Sequence, residues 1–229
     1  MNYHSIAIDG PSGAGKSTLA RMLAQELGYL YVDTGAIYRT VGLCAFRKGV
    51  EPTDARAVTA LLDGMEIDLR YEQDGVQHMY LDGEDVTREI RRHEISRYAS
   101  DVSAIPAVRA FLLERQRELA RRGDVIMDGR DIGTRVLTNA PVKIFLTATP
   151  EERARRRYKQ QVEKGDMTPY EQVLSELNAR DEQDMNRKES PLVRAADAVV
   201  VSMHWGDETS YATDVKKANA EQKRLAKLL

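Results

Sequence analysis

The sequence predicts an α/β fold, a parallel sheet layered between helices, and three observations predict it. Short apolar runs at residues 5–9, 29–32, 125–127, 142–146 and 197–201 read as buried strands and alternate with longer stretches of helical periodicity. The first run passes through a glycine-rich turn directly into a helical stretch, residues 19–27, that Gly28 stops. The run at 125–127 ends in an aspartate, Asp128, so a carboxylate sits at the end of a buried strand.

The turn after the first strand carries the most specific signal. Gly10, Pro11, Ser12, Gly13, Ala14, Gly15, Lys16 and Ser17 fit G-x-x-x-x-G-K-[ST], the phosphate-binding loop. The glycines let successive N–H groups turn inward toward phosphate oxygens. Lys16 adds a charge that reaches β- and γ-phosphates, the Ser17 hydroxyl suits Mg²⁺, and from Thr18 the helix dipole favours an anion. The strand before and the helix after are the setting the motif requires, which makes the expected class a three-layer P-loop NTPase fold. Asp128 then reads as the carboxylate that completes the Mg²⁺ shell.

The rest of the chain fills in around these points. Residues 33–39, Asp-Thr-Gly-Ala-Ile-Tyr-Arg, follow the second strand and enter a helix running to about residue 48. Ligands of open α/β sheets bind at the carboxyl ends of strands, which puts Asp33, Thr34, Tyr38 and Arg39 near the loop. Thr34 reads equally as a helix cap, and Arg39 as part of a solvated face. A short helix is expected over 53–62. Residues 65–71 alternate as a half-exposed strand, Asp74-Gly75 signals a hairpin, 78–81 returns, and Asp82-Gly83 makes a second turn. This antiparallel insert, about 63–90, is either a clamp over a substrate or a decorative hairpin.

Helices are expected over 90–103 and 106–122. Another begins at Thr149-Pro-Glu-Glu152, with Pro in its first turn and acids at its positive end. Arg153, Arg155, Arg156 and Arg157 follow, as a solvated face, a nucleic-acid patch, or a lid over phosphates. A helix from about 168 to 187 sets Arg180, Asp184 and Arg187 on one face at i, i+4 and i+7.

Composition limits the function classes. The 229 residues are 31% charged and 42% hydrophobic with net charge −2, so no global field draws nucleic acid. No run approaches the ~18 apolar residues of a membrane span. The early first strand argues against a signal peptide. The single cysteine, Cys44, excludes an internal disulfide, suits a reducing cytoplasm and reads as a buried structural thiol. Four dispersed histidines offer no metal-ligand spacing. One domain over 1–229 is expected.

Four stretches together resemble the bacterial cytidylate kinases, a nucleoside monophosphate kinase family. They are Ile8-Asp-Gly-Pro-Ser-Gly-Ala-Gly-Lys-Ser-Thr18, Asp33-Thr-Gly-Ala-Ile-Tyr-Arg39, Asp128-Gly-Arg-Asp-Ile-Gly-Thr134 and Ala140-Pro-Val-Lys-Ile-Phe-Leu146. Arg180-Asp181, Asn186-Arg187 and Pro191-Leu-Val193 also match. The resemblance implies a five-stranded parallel sheet with helices on both sides, a monophosphate-binding insert and an arginine lid at about 150–166. It implies transfer of the γ-phosphoryl of ATP to CMP or dCMP with Mg²⁺, in a cytoplasmic monomer that needs neither nucleic acid nor membrane. It also implies roles: Arg39, Arg130 and Arg187 for the monophosphate, Ser100, Arg109 and Asp131 for cytosine, Thr34, Arg180 and Asp184 near the pentose, and Arg153, Arg156 and Arg157 in the lid.

The chemistry is consistent with those roles. A carboxylate is the natural acceptor for the cytosine exocyclic amine, which uracil lacks. Guanidinium forks suit a phosphate dianion. No general base is needed, because the acceptor phosphate has a second pKa of about 6. Lys16, Arg130, Arg153 and Arg157 are therefore the expected catalytic groups, acting by positioning and charge. Three readings compete: a kinase for another acceptor such as UMP or shikimate, a P-loop switch, and a nucleic-acid-binding NTPase. The switch lacks an N-K-x-D guanine reader, and the nucleic-acid reading rests only on the Arg153–Arg157 cluster. The end of the chain departs from the family: residues 199–229 are similar to a piece of the capsule or poly-γ-glutamate synthesis phosphoesterase-like family, and the tail from about 202 is expected to be peripheral.

Overall fold

In chain order the strands and α-helices are β1 (Ser5–Asp9), α1 (Lys16–Leu27), β2 (Leu30–Asp33), α2 (Thr34–Arg47), α3 (Ala55–Leu61), β3 (Ile67–Tyr71), β4 (Gln77–Leu81), β5 (Glu84–Asp85), α4 (His93–Val102), α5 (Pro106–Ala120), β6 (Val125–Gly129), β7 (Val142–Thr147), α6 (Pro150–Glu163), α7 (Tyr170–Asn186) and β8 (Val199–Ser202). They come from a computed structural model that describes residues 3–72, 76–163 and 165–202. The expected turn at Asp74-Gly75 and the tail beyond residue 202 lie outside the described residues.

Two compact units divide the chain. The first takes residues up to Leu30 and from Asp124 onward; the second is Tyr31–Gly123. The main sheet has the order β2-β6-β1-β7-β8, five strands. β1 pairs parallel with β6 on one side and β7 on the other, and β8 pairs parallel with β7. Central parallel strands are covered on both faces, so they read as continuous apolar runs rather than alternating ones. Ile6, Ala7 and Ile8 of β1, Val125, Ile126 and Met127 of β6, and Ile144 and Leu146 of β7 are accordingly buried. This layer brings the ends of β1 and β6 together: Asp9 of β1 lies opposite Gly129, and Ile8 opposite Asp128.

In the second unit β3, β4 and β5 form the antiparallel insert. Its alternation is real: Gln77, Met79 and Leu81 of β4 are buried while His78 and Tyr80 are half-exposed. Helices α2 and α4 cross closely at Gly42, where a Cβ would stand 2.9 Å from the Ala99 backbone nitrogen. Only glycine allows this approach.

Two elements differ from the sequence expectation. Residues 90–103 are not one helix. A 3-10 turn at Glu89–Arg91 is followed by a break at Arg92, whose ψ of 150° is extended, before α4 begins. The Arg92 guanidinium lies over the Phe46 ring and pairs with Glu94, contacts that helical periodicity does not encode. After β6 the chain makes a π-helical turn at Ile132–Val136 that periodicity also does not encode. Among the described residues no helix is long and apolar enough to cross a membrane.

Candidate active site

The phosphate loop lies at the end of β1 in the first unit. Gly10 has φ of 149°, and a Cβ there would stand 2.0 Å from the Leu146 carbonyl oxygen, so the loop can turn past β7 only with glycine. Gly15 is left-handed, with φ of 97°, and no side chain caps α1 behind it. A helix start left in this way is a ready anion site. Lys16 is buried and donates from Nζ to the Pro11 carbonyl at 2.7 Å, so its ammonium folds back over the loop. Burial, and then the Arg130 charge, push it down to about 7, against the pull of Asp128, Asp184 and Asp9.

Below the loop, the Ser17 hydroxyl donates to Asp128 Oδ2 at 2.9 Å. Sequence reasoning paired these two residues across 111 positions, and β6 beside β1 brings them into contact. Among the described residues, no cluster of three or more His, Cys, Asp or Glu could hold a metal. The Ser17 hydroxyl and the Asp128 carboxylate are hard oxygen donors held side by side.

The strand end of β6 leads to a cluster of arginines and carboxylates. Arg130 Nε donates to Asp184 Oδ2 at 2.7 Å, and Arg187 donates from a terminal nitrogen to Asp184 Oδ1 at 3.1 Å. The second terminal nitrogen of Arg187 is 4.0 Å from Asp131 Oδ1. Burial alone would raise the Asp184 carboxyl, but the charges of Arg130, Arg180 and Arg187 hold it below the usual range. The i, i+4, i+7 face of α7 is thus turned inward at Asp184 rather than lying as an ion pair on a wet surface: Asp184 is 4% exposed. Asp128 and Asp181 also act on Arg130, and Asp131 lies beside Arg187, so guanidiniums and carboxylates alternate through the cluster.

Helix α6 opens with a capping box: Thr149 Oγ1 accepts from the Glu152 N–H, and Glu152 accepts in turn from the Thr149 N–H. Arg153 then departs from a solvent-facing lid arginine. It is 3% exposed, donates to the carbonyls of Ala148 and Ser12, and pairs with Asp181. Asp181 also accepts from the Ser12 N–H at 3.4 Å. Arg153 therefore ties α6 and α7 to the phosphate loop backbone. Arg156 reaches over the loop, with one terminal nitrogen 3.3 Å from where a Gly15 Cβ would be. Arg157 is half-buried on the same helix, and Arg155 is exposed.

In the second unit, Asp33 and not Thr34 caps α2, accepting from the Ala36 N–H at 2.9 Å. Its other oxygen pairs with Arg39 at 2.8 Å, so Arg39 is held rather than splayed on a solvated face. Burial raises the Asp33 carboxyl, yet Arg39 and the Ala36 N–H bring it below the ordinary value. Gly35 makes room for this pair: a Cβ would stand 3.1 Å from Asp33 Oδ1 and 3.2 Å from an Arg39 nitrogen. Gln77 of the insert accepts from the Asp33 N–H at 2.7 Å and donates to its carbonyl at 3.3 Å, while the Tyr71 hydroxyl donates to the Tyr31 carbonyl at 2.7 Å. The hairpin is therefore bonded to the backbone that carries Asp33. Arg109 lies over the Tyr38 ring at 5.4 Å and donates to the Ser103 carbonyl, and the Ser103 hydroxyl donates to the Ser100 carbonyl. Tyr38, Ser100 and Arg109 are so brought into one neighbourhood.

Sequence reasoning missed Asp9, Asp181, Gly35 and Gln77. Asp9 was legible only as the last strand residue before the loop. Its partners, the N–H groups of Ile132 and Gly133, lie 123 and 124 positions away.

Comparison with known proteins gives the family. The family described as cytidylate kinase matches residues 6–210. The chain is 52% identical over 201 residues to a cytidylate kinase from Caldicellulosiruptor bescii, covering 88% of each protein. It is 50% identical over 200 residues to one from Pelotomaculum thermopropionicum, covering 87% of this chain and 88% of that protein. A gluconokinase structure from Sinorhizobium meliloti 1021 aligns over 98% of this chain and 94% of that one, with a TM-score of 0.49 and 17% identity, too loose a likeness to bear on function.

Proposed function

The chain belongs to the cytidylate kinase family and is a phosphotransferase acting on CMP; on that premise we propose how its residues divide the reaction ATP + CMP (or dCMP) → ADP + CDP (or dCDP). One observation carries the reading. Arg130 and Arg187 donate to the buried carboxylate of Asp184, and the Arg180 charge acts on it, in the unit that also holds a phosphate loop. Guanidiniums gathered in this way suit a phosphate dianion.

Within the first unit, the backbone of residues 10–18 and the Lys16 ammonium bind the phosphates of ATP. Arg156 and Arg157 close on them from α6, and Arg153 acts on the same phosphates by holding Ser12. Arg130 and Arg187 bind the acceptor monophosphate, Asp131 accepts the cytosine amine, and Arg180 and Asp184 contact the pentose. Within the second unit, Arg39 serves the monophosphate, Thr34 the pentose, and Ser100 and Arg109 the base, with Tyr38 supporting Arg109. Ser17 and Asp128 would hold Mg²⁺, which when bound supplies charge neutralisation to the phosphates.

The step needs no side-chain base. An oxygen of the acceptor monophosphate, already mostly ionised at neutral pH, forms a bond to the γ-phosphorus, and the bond from that phosphorus to the bridging oxygen of ADP breaks. Lys16, Arg130 and Arg157 stabilise the charge that moves, and exclusion of water by the lid protects ATP from hydrolysis. The reading has the enzyme acting in the cytoplasm as a monomer, without nucleic acid or membrane; the buried free thiol of Cys44 is consistent with a reducing compartment. The family match does not favour UMP or shikimate kinases, a P-loop switch or a nucleic-acid-dependent NTPase.

A coupled ADP-release assay with CMP, dCMP, UMP and AMP as acceptors tests the proposal. CMP and dCMP are expected to be the preferred acceptors. Equal or better turnover of UMP or AMP would contradict it.

A further inference from the structure

Asp131 occupies the cap position of the π-helical turn Ile132–Val136, where an aspartate ordinarily accepts the N–H of the second or third residue of its turn, Gly133 or Thr134. It makes no such bond. The Gly133 N–H goes instead to another aspartate, Asp9, at its Oδ2 at 2.8 Å, and the adjacent Ile132 N–H goes to Asp9 Oδ1 at 2.8 Å. Asp9 ends β1 and reaches the turn from the neighbouring strand, where it is paired with Gly129 and 4% exposed. The fit leaves no spare room. A Cβ on Gly133 would stand 3.3 Å from Asp9 Oδ2 and 3.1 Å from the Lys143 side chain. With the turn capped from outside, the Asp131 carboxylate faces the guanidinium of Arg187 at 4.0 Å.

We propose that Asp9 is the positioning residue for base choice: it caps the turn in place of Asp131 and thereby directs the Asp131 carboxylate at the acceptor base. The inference rests on the reading that Asp131 accepts the cytosine amine. The physical reason is orientation: a carboxylate that capped its own turn would be folded back onto backbone N–H groups instead of turned toward the base. Asp9 is followed directly by Gly10, so one side chain fastens the base-reading turn to the strand that carries the phosphate loop. Asp9 itself touches no substrate and acts through Asp131.

Two substitutions disturb the same contact from opposite sides. Asp9→Asn keeps the size but offers one acceptor and one donor where two acceptors are required, so one turn N–H faces an amide N–H. Gly133→Ala presses on the contact and leaves the carboxylate in place. Each is expected to raise KM for CMP about tenfold, the worth of roughly one hydrogen bond. Each narrows the ratio of kcat/KM for CMP over UMP by a similar factor, and KM for ATP stays within about twofold. A merely structural role would lower turnover with both acceptors alike and leave the ratio unmoved. Asp131→Ala is measured beside them. If it narrows the ratio while Asp9→Asn and Gly133→Ala both leave it unchanged, the role of Asp9 is refuted and that of Asp131 stands. If Asp131→Ala leaves the ratio unchanged, the base-reading role falls and the inference with it.

Discussion

Replacing Asp9 with Asn makes a prediction about stability whose sign is fixed by burial. The Asp9 carboxyl is pushed up from 3.8 to about 6, chiefly because it is buried, against the two N–H groups it accepts; the Asp131 charge adds to the rise. Between those two values the folded chain binds a proton that the unfolded chain has released. The contribution of this group is therefore fully present below pH 3.8 and is lost as pH rises through about 6. A shift of roughly two units corresponds to about 3 kcal/mol in all, most of it lost between pH 4 and pH 7. Asparagine does not titrate, so the stability difference, native minus Asp9→Asn, should fall by that amount over the window. Urea unfolding of both nucleotide-free proteins, at constant ionic strength and from pH 4 to 7.5, reads it directly. Most other titrations are common to both proteins and cancel. A difference that is flat with pH, or that grows with pH, would refute the reasoning. The expected result also separates function from folding, since at neutral pH the variant is released from holding a buried charge.

Other expectations follow from single contacts. Lys16 is lowered to about 7 in the unliganded protein by burial and Arg130, and bound phosphates favour its charged form, so ATP binding at pH 8 should take up a proton through this residue. Calorimetry in buffers of different ionisation enthalpy should show it, and Lys16→Met should abolish it; binding enthalpies independent of buffer would contradict the assignment. Gly42→Ala places a Cβ 2.9 Å from the Ala99 nitrogen and should destabilise the α2–α4 crossing by about 1–3 kcal/mol in urea unfolding. Unchanged stability would mean that the helices separate without strain. Gln77→Ala removes both bonds to the Asp33 backbone, which carries the partner of Arg39, and should raise KM for CMP roughly tenfold with KM for ATP unmoved. Equal changes in both constants would count against this coupling.

The frame was legible because its determinants are local. Apolar runs covered on both faces mark β1, β6 and β7, and the phosphate loop needs only eight consecutive residues in a strand–turn–helix setting. Ser17 and Asp128 could be paired because each carries its own motif. What was not legible depends on which strands become neighbours. Asp9 looked like the end of a strand until β6 lay beside it and put the Ile132 and Gly133 N–H groups within 2.8 Å. Arg153 read as one of three lid arginines, with Arg156 and Arg157; only the juxtaposition of α6, α7 and the loop commits it to Ser12 and Asp181. The break at Arg92 escaped because periodicity ignores a guanidinium resting on an aromatic ring from another helix. In the DTGAIYR stretch, the cap went to Asp33 rather than Thr34 because the carboxylate accepts from Ala36 and pairs with Arg39 at once.

The central claim is a division of labour: the loop holds the donor, and residues far along the chain choose the acceptor. The most direct test is to measure CMP and UMP binding by calorimetry to the native protein, Lys16→Ala and Asp131→Ala. Lys16→Ala should form no ADP in the coupled assay yet bind CMP more tightly than UMP by the native ratio, while Asp131→Ala should bring that ratio close to one. A loop variant that changes the preference for the base, or an Asp131 variant that keeps it, would contradict the account.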